Sequence, residues 1–170
     1  GPNGVGKTSL ARSLGIAIIM AQAGMFVPAE SFVYKPYHSL YTRLSKHDDM
    51  HRGLSTGGVE LVELNSILQG SDQHTLVLGD ELCSSTEQLG EQSFTIASVE
   101  WLLNHSSSFI FATHLHSIAT FHLIETLVAS NRLCIRHMDK KDRILRSGCG
   151  PTSYVIEEAK KHGIPLSFLV

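Results

Sequence analysis

The 170-residue sequence predicts an α/β fold, a mostly parallel sheet flanked by helices. Three observations predict it. A glycine-rich loop runs directly into a helical segment. Two short apolar runs, Thr75-Leu76-Val77-Leu78 and Phe109-Ile110-Phe111-Ala112, lack period-2 alternation, as strands buried on both faces do. Helix-length segments alternate with those runs, which is the order of parallel crossover units. Hydrophobic residues at 42% and charged residues at 18% suit one ordinary globular domain with its own core.

The elements follow in chain order. A helix is predicted over residues 7–22, stopping at Gly24 as a left-handed cap. Residues 14–27 are strongly apolar but too short for a membrane span and broken by Gln22 and Gly24, so they read as buried helix. A second helix over 58–68 carries Val59, Leu61, Val62, Leu64, Ile67 and Leu68 on a broad apolar face. A strand over 75–79 precedes Asp80. A third helix over 91–103 carries Phe94, Ile96, Ala97, Val99, Trp101 and Leu102. A strand over 109–112 follows. Residues 133–138 and 143–146 can pair as a hairpin across Asp139-Lys140-Lys141-Asp142. A last helix over 153–162 is closed by Gly163 and stopped by Pro165. No element is assigned between 25 and 57 or between 113 and 132.

The opening residues Gly1-Pro2-Asn3-Gly4-Val5-Gly6-Lys7-Thr8 fit the phosphate-loop pattern G-x-x-x-x-G-K-[ST]. Glycines let the backbone wrap a polyphosphate so that successive N–H groups point at it. Lysine reaches the terminal phosphates, and the threonine hydroxyl ligates Mg²⁺. With Ser9 in the first helical turn, Gly1 to Ser9 are the expected ATP-binding residues. A plain glycine turn before a helix is the bland reading, and the full pattern outweighs it. Such a loop should follow a buried strand, so a chain beginning at Gly1 is expected to be a piece of one ATPase domain, cut before that strand and again inside the apolar segment at Val170.

Asp80 and Glu81 stand at the C-terminal end of a predicted strand, where open α/β sheets bind ligands. Beside a phosphate loop they take different tasks: Asp80 supports the Mg²⁺ shell, and Glu81 polarises the attacking water. Two solvated acids are the bland alternative. The second strand ends in Thr113-His114-Leu115-His116. His114 there is a candidate catalytic residue that reads the γ-phosphate. Residues i and i+2 of an extended segment face opposite ways, so the two histidines do not read as a chelating pair. Ser55 and Thr56, within Gly53-Leu54-Ser55-Thr56-Gly57-Gly58, supply an N-cap for the next helix. The same features make an anion site without lysine. One subunit needs no second anion site, so this surface is expected to meet the ATP held by a partner.

Net charge is −2, which excludes electrostatic nucleic-acid binding by the chain as a whole. Cys83, Cys134 and Cys149 are widely spaced, which suits a reduced intracellular setting.

Phosphate loop, Leu-Ser-x-Gly-Gly-type serine loop, Asp-Glu strand end and following histidine together resemble the ABC-type ATPases. Within them the chain resembles the MutS family of DNA mismatch repair proteins. Met25-Phe26-Val27-Pro28-Ala29-Glu30-Ser31, Thr42-Arg43-Leu44 with Asp48-Asp49, Ser55-Thr56, then Glu60, Glu63, Asn65, Ile67, Leu68 and Ala112-Thr113-His114 carry that similarity from Gly1 to about Pro165. Asp80-Glu81-Leu82-Cys83 with Thr86-Glu87, and Glu158-Ala159-Lys160-Lys161-His162-Gly163-Ile164-Pro165, are similar to the organellar, plant-type branch; large-virus relatives share parts of them. The resemblance implies an ATP- and Mg²⁺-dependent dimer, of two copies or with a MutS-like partner, that contacts mismatched duplex DNA through regions outside these residues, with no membrane role. Mitochondrion and plastid both fit, with nucleus and cytoplasm left open.

Two departures stand out. Gly57 occupies the position after Ser-Thr where the family usually has Phe, and Ser84-Ser85 occupy a turn where it usually has Gly. A left-handed residue in that turn would be strained without Gly, which bears on coupling between two ATP sites. Two other readings compete. A transporter's nucleotide-binding half would suit Leu54-Ser55-Thr56-Gly57-Gly58, but the 48 positions from Lys7 to Ser55 leave no room for its helical insertion. A nucleotide-gated dimerisation module with little hydrolysis is the other.

Overall fold

The computed structural model describes residues 1–2, 4–44 and 56–150. The elements are α1 (Lys7–Gln22), β1 (Ser39–Arg43), α2 (Thr56–Gln69), β2 (Thr75–Asp80), α3 (Gln88–Asn104), β3 (Ser108–Ala112), a 3₁₀ turn (His116–Thr120), α4 (His122–Ala129), β4 (Arg136–Met138) and β5 (Leu145–Ser147). They fall into two compact units, Lys7–Thr113 in one, Gly1–Gly6 with His114–Val170 in the other.

In the larger unit β2 is the middle strand of a parallel sheet, ordered β1-β2-β3. Ser39 aligns with Thr75 on one side, and Leu76 with Ser108 on the other. The strand pleat sends alternate residues to opposite faces. Leu76 and Leu78 pack with Ile18 of α1 and with Leu14, Phe32 and Leu40. Val77 turns the other way, to Ile67 of α2 and Leu102 of α3. Val77 and Leu78 are 1% and 0% exposed, each worth about 1.5–3 kcal/mol over an exposed position. The apolar run at 75–78 lacks alternation because helices cover both faces.

α1 spans Lys7–Gln22 and is followed by Gly24 at φ +74, as the sequence predicts. Its buried stripe is Ala11, Gly15 and Ile18. At Gly15 the helix packs closely on the sheet. A Cβ there would lie 2.9 Å from Leu78 Cδ1.

α2 and α3 begin two or three residues earlier than their apolar patterns suggest. In α3 the buried stripe also differs from the apolar one. Glu91, Gln92, Thr95 and Ser98 are buried beside Val99 and Leu102, while Ala97 is exposed. Ser98 satisfies its hydroxyl on Phe94 O at 2.7 Å, which makes a small polar residue tolerable in the packed face. Trp101 is half-buried, with its indole N–H on Leu68 O at 3.0 Å. β1 has no counterpart in the sequence reading, nor do the 3₁₀ turn and α4.

In the smaller unit β4 and β5 pair antiparallel, His137 opposite Arg146. The hairpin is shorter than predicted. Asp139 ends it by accepting Lys141 N–H at 2.8 Å, and Arg143 turns the chain at φ 57. Ile124 and Leu127 of α4 are buried, as are Val5, Leu115, Ile118 and Met138. The predicted helix over 153–162 lies outside the described residues. Among the described residues no helix is long and apolar enough to cross a membrane.

Candidate phosphate and metal site

β2 ends at Asp80, paired in register with Ala112 at the end of β3. Glu81 follows and donates its N–H to Ala112 O at 2.9 Å, which prolongs the strand pairing by one bond. The chain then turns sharply. Glu81 and Cys83 have φ 50 and 56, a left-handed conformation costing about 1–2 kcal/mol at a non-glycine residue. Thr86 closes the turn by donating its N–H to Cys83 O at 3.1 Å and its hydroxyl to the same oxygen at 2.9 Å. The strain anticipated at Ser84-Ser85 therefore sits at Glu81 and Cys83. Neither serine has a positive φ.

The first turn of α1 meets this strand end. Thr8 donates its hydroxyl to Asp80 Oδ2. Asp80 Oδ1 is buried and has no hydrogen-bond partner among the described residues. An unpaired carboxylate oxygen is costly, and a cation is the usual remedy. Hydroxyl and carboxylate oxygens are hard donors of the kind Mg²⁺ takes. Among the described residues no group of three or more His, Cys, Asp and Glu could hold a metal, so a cation here would complete its shell from phosphate oxygens and water. Lys7 is half-buried. Burial pulls its ammonium below the ordinary lysine range, while the charges of Glu81 and then Asp80 push it back up. Two carboxylates and one ammonium thus converge where α1 begins.

Of the loop ahead of Lys7, Gly4 and Gly6 take φ +76 and +104, which side-chain-bearing residues resist, and Val5 is buried. Gly1 and Pro2 are half-buried, and Ser9 is exposed on α1. Asn3 and Ser55 lie outside the described residues. Thr56 is the exposed first residue of α2. His114 is exposed and opens the smaller unit. The structure therefore brings together Lys7, Thr8, Asp80 and Glu81 from the predicted set.

Sequence reasoning assigned no job to Arg43 or to Glu60 beyond family resemblance and a first-turn acid. Arg43 ends β1 and binds Glu60 Oε1 at 3.2 Å and Glu63 Oε2 at 3.1 Å. The available signal was spacing: Glu60, Leu64 and Ile67 form one helical stripe, which places an acid on the buried face of α2.

Fold and site define an α/β protein in which the first turn of α1, at Lys7 and Thr8, meets an acidic pair at the end of a central parallel strand. A family model described as MutS domain V matches residues 1–170. The chain belongs to that family. It is 40% identical over 159 residues to the mitochondrial DNA mismatch repair protein mutS homolog of Sarcophyton glaucum, covering 91% of this chain and 16% of that protein. It is 36% identical over 165 residues to a mutS homolog of Acanthamoeba polyphaga mimivirus, covering 89% and 14%. It is 32% identical over 176 residues to DNA mismatch repair protein MutS of Clostridium tetani, covering 100% and 20%. The chain therefore spans a fifth or less of the length of these relatives.

Proposed function

We propose that residues 1–170 form the ATP-binding and hydrolysing domain, of the P-loop, ABC-like type, of a DNA mismatch repair protein. The observation that carries this reading is the orphaned Asp80 Oδ1 beside the Thr8 hydroxyl, at the start of the helix that follows the glycine-rich loop. Gly1 to Ser9 bind the triphosphate, with Lys7 on its terminal phosphates. Thr8 and Asp80 hold Mg²⁺, which when bound neutralises phosphate charge. Glu81 accepts a proton from the attacking water. Its left-handed backbone turns it out of the strand direction, and its N–H on Ala112 O fixes that turn. His114 reads the γ-phosphate, and Ser55 and Thr56 act on the ATP of a partner subunit, a second copy or a MutS-like chain. ATP then closes the dimer, and hydrolysis reopens it on mismatched DNA held by other parts of the protein. The mitochondrial relative favours an intracellular site, mitochondrion or plastid among the candidates.

The test is steady-state ATP hydrolysis by the intact parent protein with mismatched or fully paired duplex DNA. Turnover that depends on the mismatch is expected. Lys7→Ala should abolish nucleotide binding. Glu81→Gln should bind ATP normally and lose roughly 10²–10⁴-fold in turnover, the usual worth of a positioned base. Wild-type hydrolysis by Glu81→Gln would move the base elsewhere.

A further inference from the structure

One buried carboxylate links the turn after Glu81 to the helix that begins at Thr56. Glu60 is 3% exposed, and its two oxygens serve different elements. Oε1 faces Arg43 Nη2 at 3.2 Å, and Arg43 in turn holds Glu63 at 3.1 Å. Oε2 accepts the Ser85 N–H at 3.1 Å. Ser85 stands four residues past Glu81, inside the turn that holds Glu81 and Cys83 left-handed. The same turn touches α2 a second time. A Cβ on Gly57 would lie 3.7 Å from Thr86 Cγ2 and 3.8 Å from Ser85 O. The two departures from the family pattern, Gly57 and Ser84-Ser85, are therefore neighbours in one contact.

A buried carboxylate is costly to strand, so breaking either link leaves the other oxygen's partner to bear the charge alone. Turn and helix start are thereby constrained to move together. We propose that Glu60 is a positioning residue that holds the Glu81 turn in its hydrolytic shape and ties that shape to the N-terminal end of α2. The proposal rests on the reading of Glu81 as the base and of the serine segment as partner-facing. Glu60 touches no reacting atom. It acts through Ser85 on one side and through the helix start on the other.

The experiment uses the intact parent protein with mismatched duplex. It measures nucleotide Kd, kcat and melting temperature, with all variants assayed well below their melting points. Glu60→Ala should lower kcat at least tenfold with Kd within twofold of wild type. Glu60→Gln has one amide oxygen for two donors, so its kcat should fall between those of Glu60→Ala and wild type; being nearly isosteric, it keeps the test open if Glu60→Ala folds poorly. Glu63→Gln removes an Arg43 partner that does not bond to the turn, and should leave kcat within twofold. The proposal is overturned if both Glu60 variants keep wild-type kcat. It is equally overturned if Kd weakens in step with kcat, or if Glu63→Gln loses as much as Glu60→Gln. Failure of Lys7→Ala to abolish binding would instead strike the phosphate-site reading on which it rests.

Discussion

The two ends of β2 are both crowded with polar side chains, yet they are built on opposite principles. At the N-terminal end the polar groups are tied to one another. Asp72 Oδ1 accepts the Thr75 hydroxyl and the His74 N–H, both at 2.8 Å. Thr75 Oγ1 accepts the Asp72 N–H at 3.0 Å, the Asp72 carbonyl accepts the Ser107 hydroxyl at 2.8 Å, and Ser71 bonds Ile67 O at 2.6 Å. At the C-terminal end Asp80 Oδ1 and Ser84 Oγ are buried without hydrogen-bond partners among the described residues, and two side-chain-bearing residues are left-handed. Satisfied polarity is architecture. Unsatisfied polarity next to backbone strain is the mark of a place prepared for a ligand.

The largest expected break in that contrast is Asp80→Asn. Removing a charge from the unsatisfied end should cost at least tenfold in Mg²⁺-dependent nucleotide affinity, measured by titration with and without the metal. The nucleotide-free protein should melt higher, since a neutral amide costs less to bury unpaired than a carboxylate does. A lower melting point would show that Asp80 is structural, and the two ends alike. Next in size is Thr75→Val, at a residue with 0% exposure. It keeps the shape and removes both bonds that Thr75 makes with Asp72, each worth about 0.5–1.5 kcal/mol, so stability should drop by about 1–3 kcal/mol in urea unfolding with nucleotide affinity unchanged. A loss of affinity there would erase the distinction between the ends.

The smallest effect is alkaline. Burial, then the charge of Glu60, pushes the Cys83 thiol from 9.0 up to about 11. Its folded value is raised, so the stability it contributes is fully present below pH 9 and is lost as pH rises towards 11. At pH 8 a thiol reagent should label the exposed Cys134 and Cys149 and spare Cys83 until the protein is unfolded. Mass spectrometry of the labelled peptides reads this directly. Prompt labelling of Cys83 would mean that the turn opens readily.

The contrast also explains what could be read from the chain beforehand. β2 was legible because it is covered on both faces, so Leu76, Val77 and Leu78 are apolar in succession, and α1 because a phosphate-loop pattern marks its start and Gly24 its end. β1 was not. Ser39-Leu40-Tyr41-Thr42-Arg43 is a half-buried flank of the described sheet, and parallel pairing with β2, a long-range fact, makes it a strand. α4 is eight residues long, too brief for periodicity to distinguish it from a loop. At the site, Lys7, Thr8, Asp80 and Glu81 were readable because their chemistry follows a fixed spacing. Glu60 escaped because its importance lies in Ser85, 25 positions away, and no local pattern joins them.

Gly15 carries a consequence for inheritance rather than for chemistry. It lies eight positions from Lys7, about two turns further along α1. Leu78, the residue it presses on, is wholly enclosed and has nowhere to retreat. Any larger residue at 15 would lever α1 away from β2, and the far end of that lever is the Thr8 hydroxyl that reaches Asp80. A search for inactivating variants in this chain should therefore recover position 15 alongside the phosphate loop, although glycine has no side chain to offer a ligand.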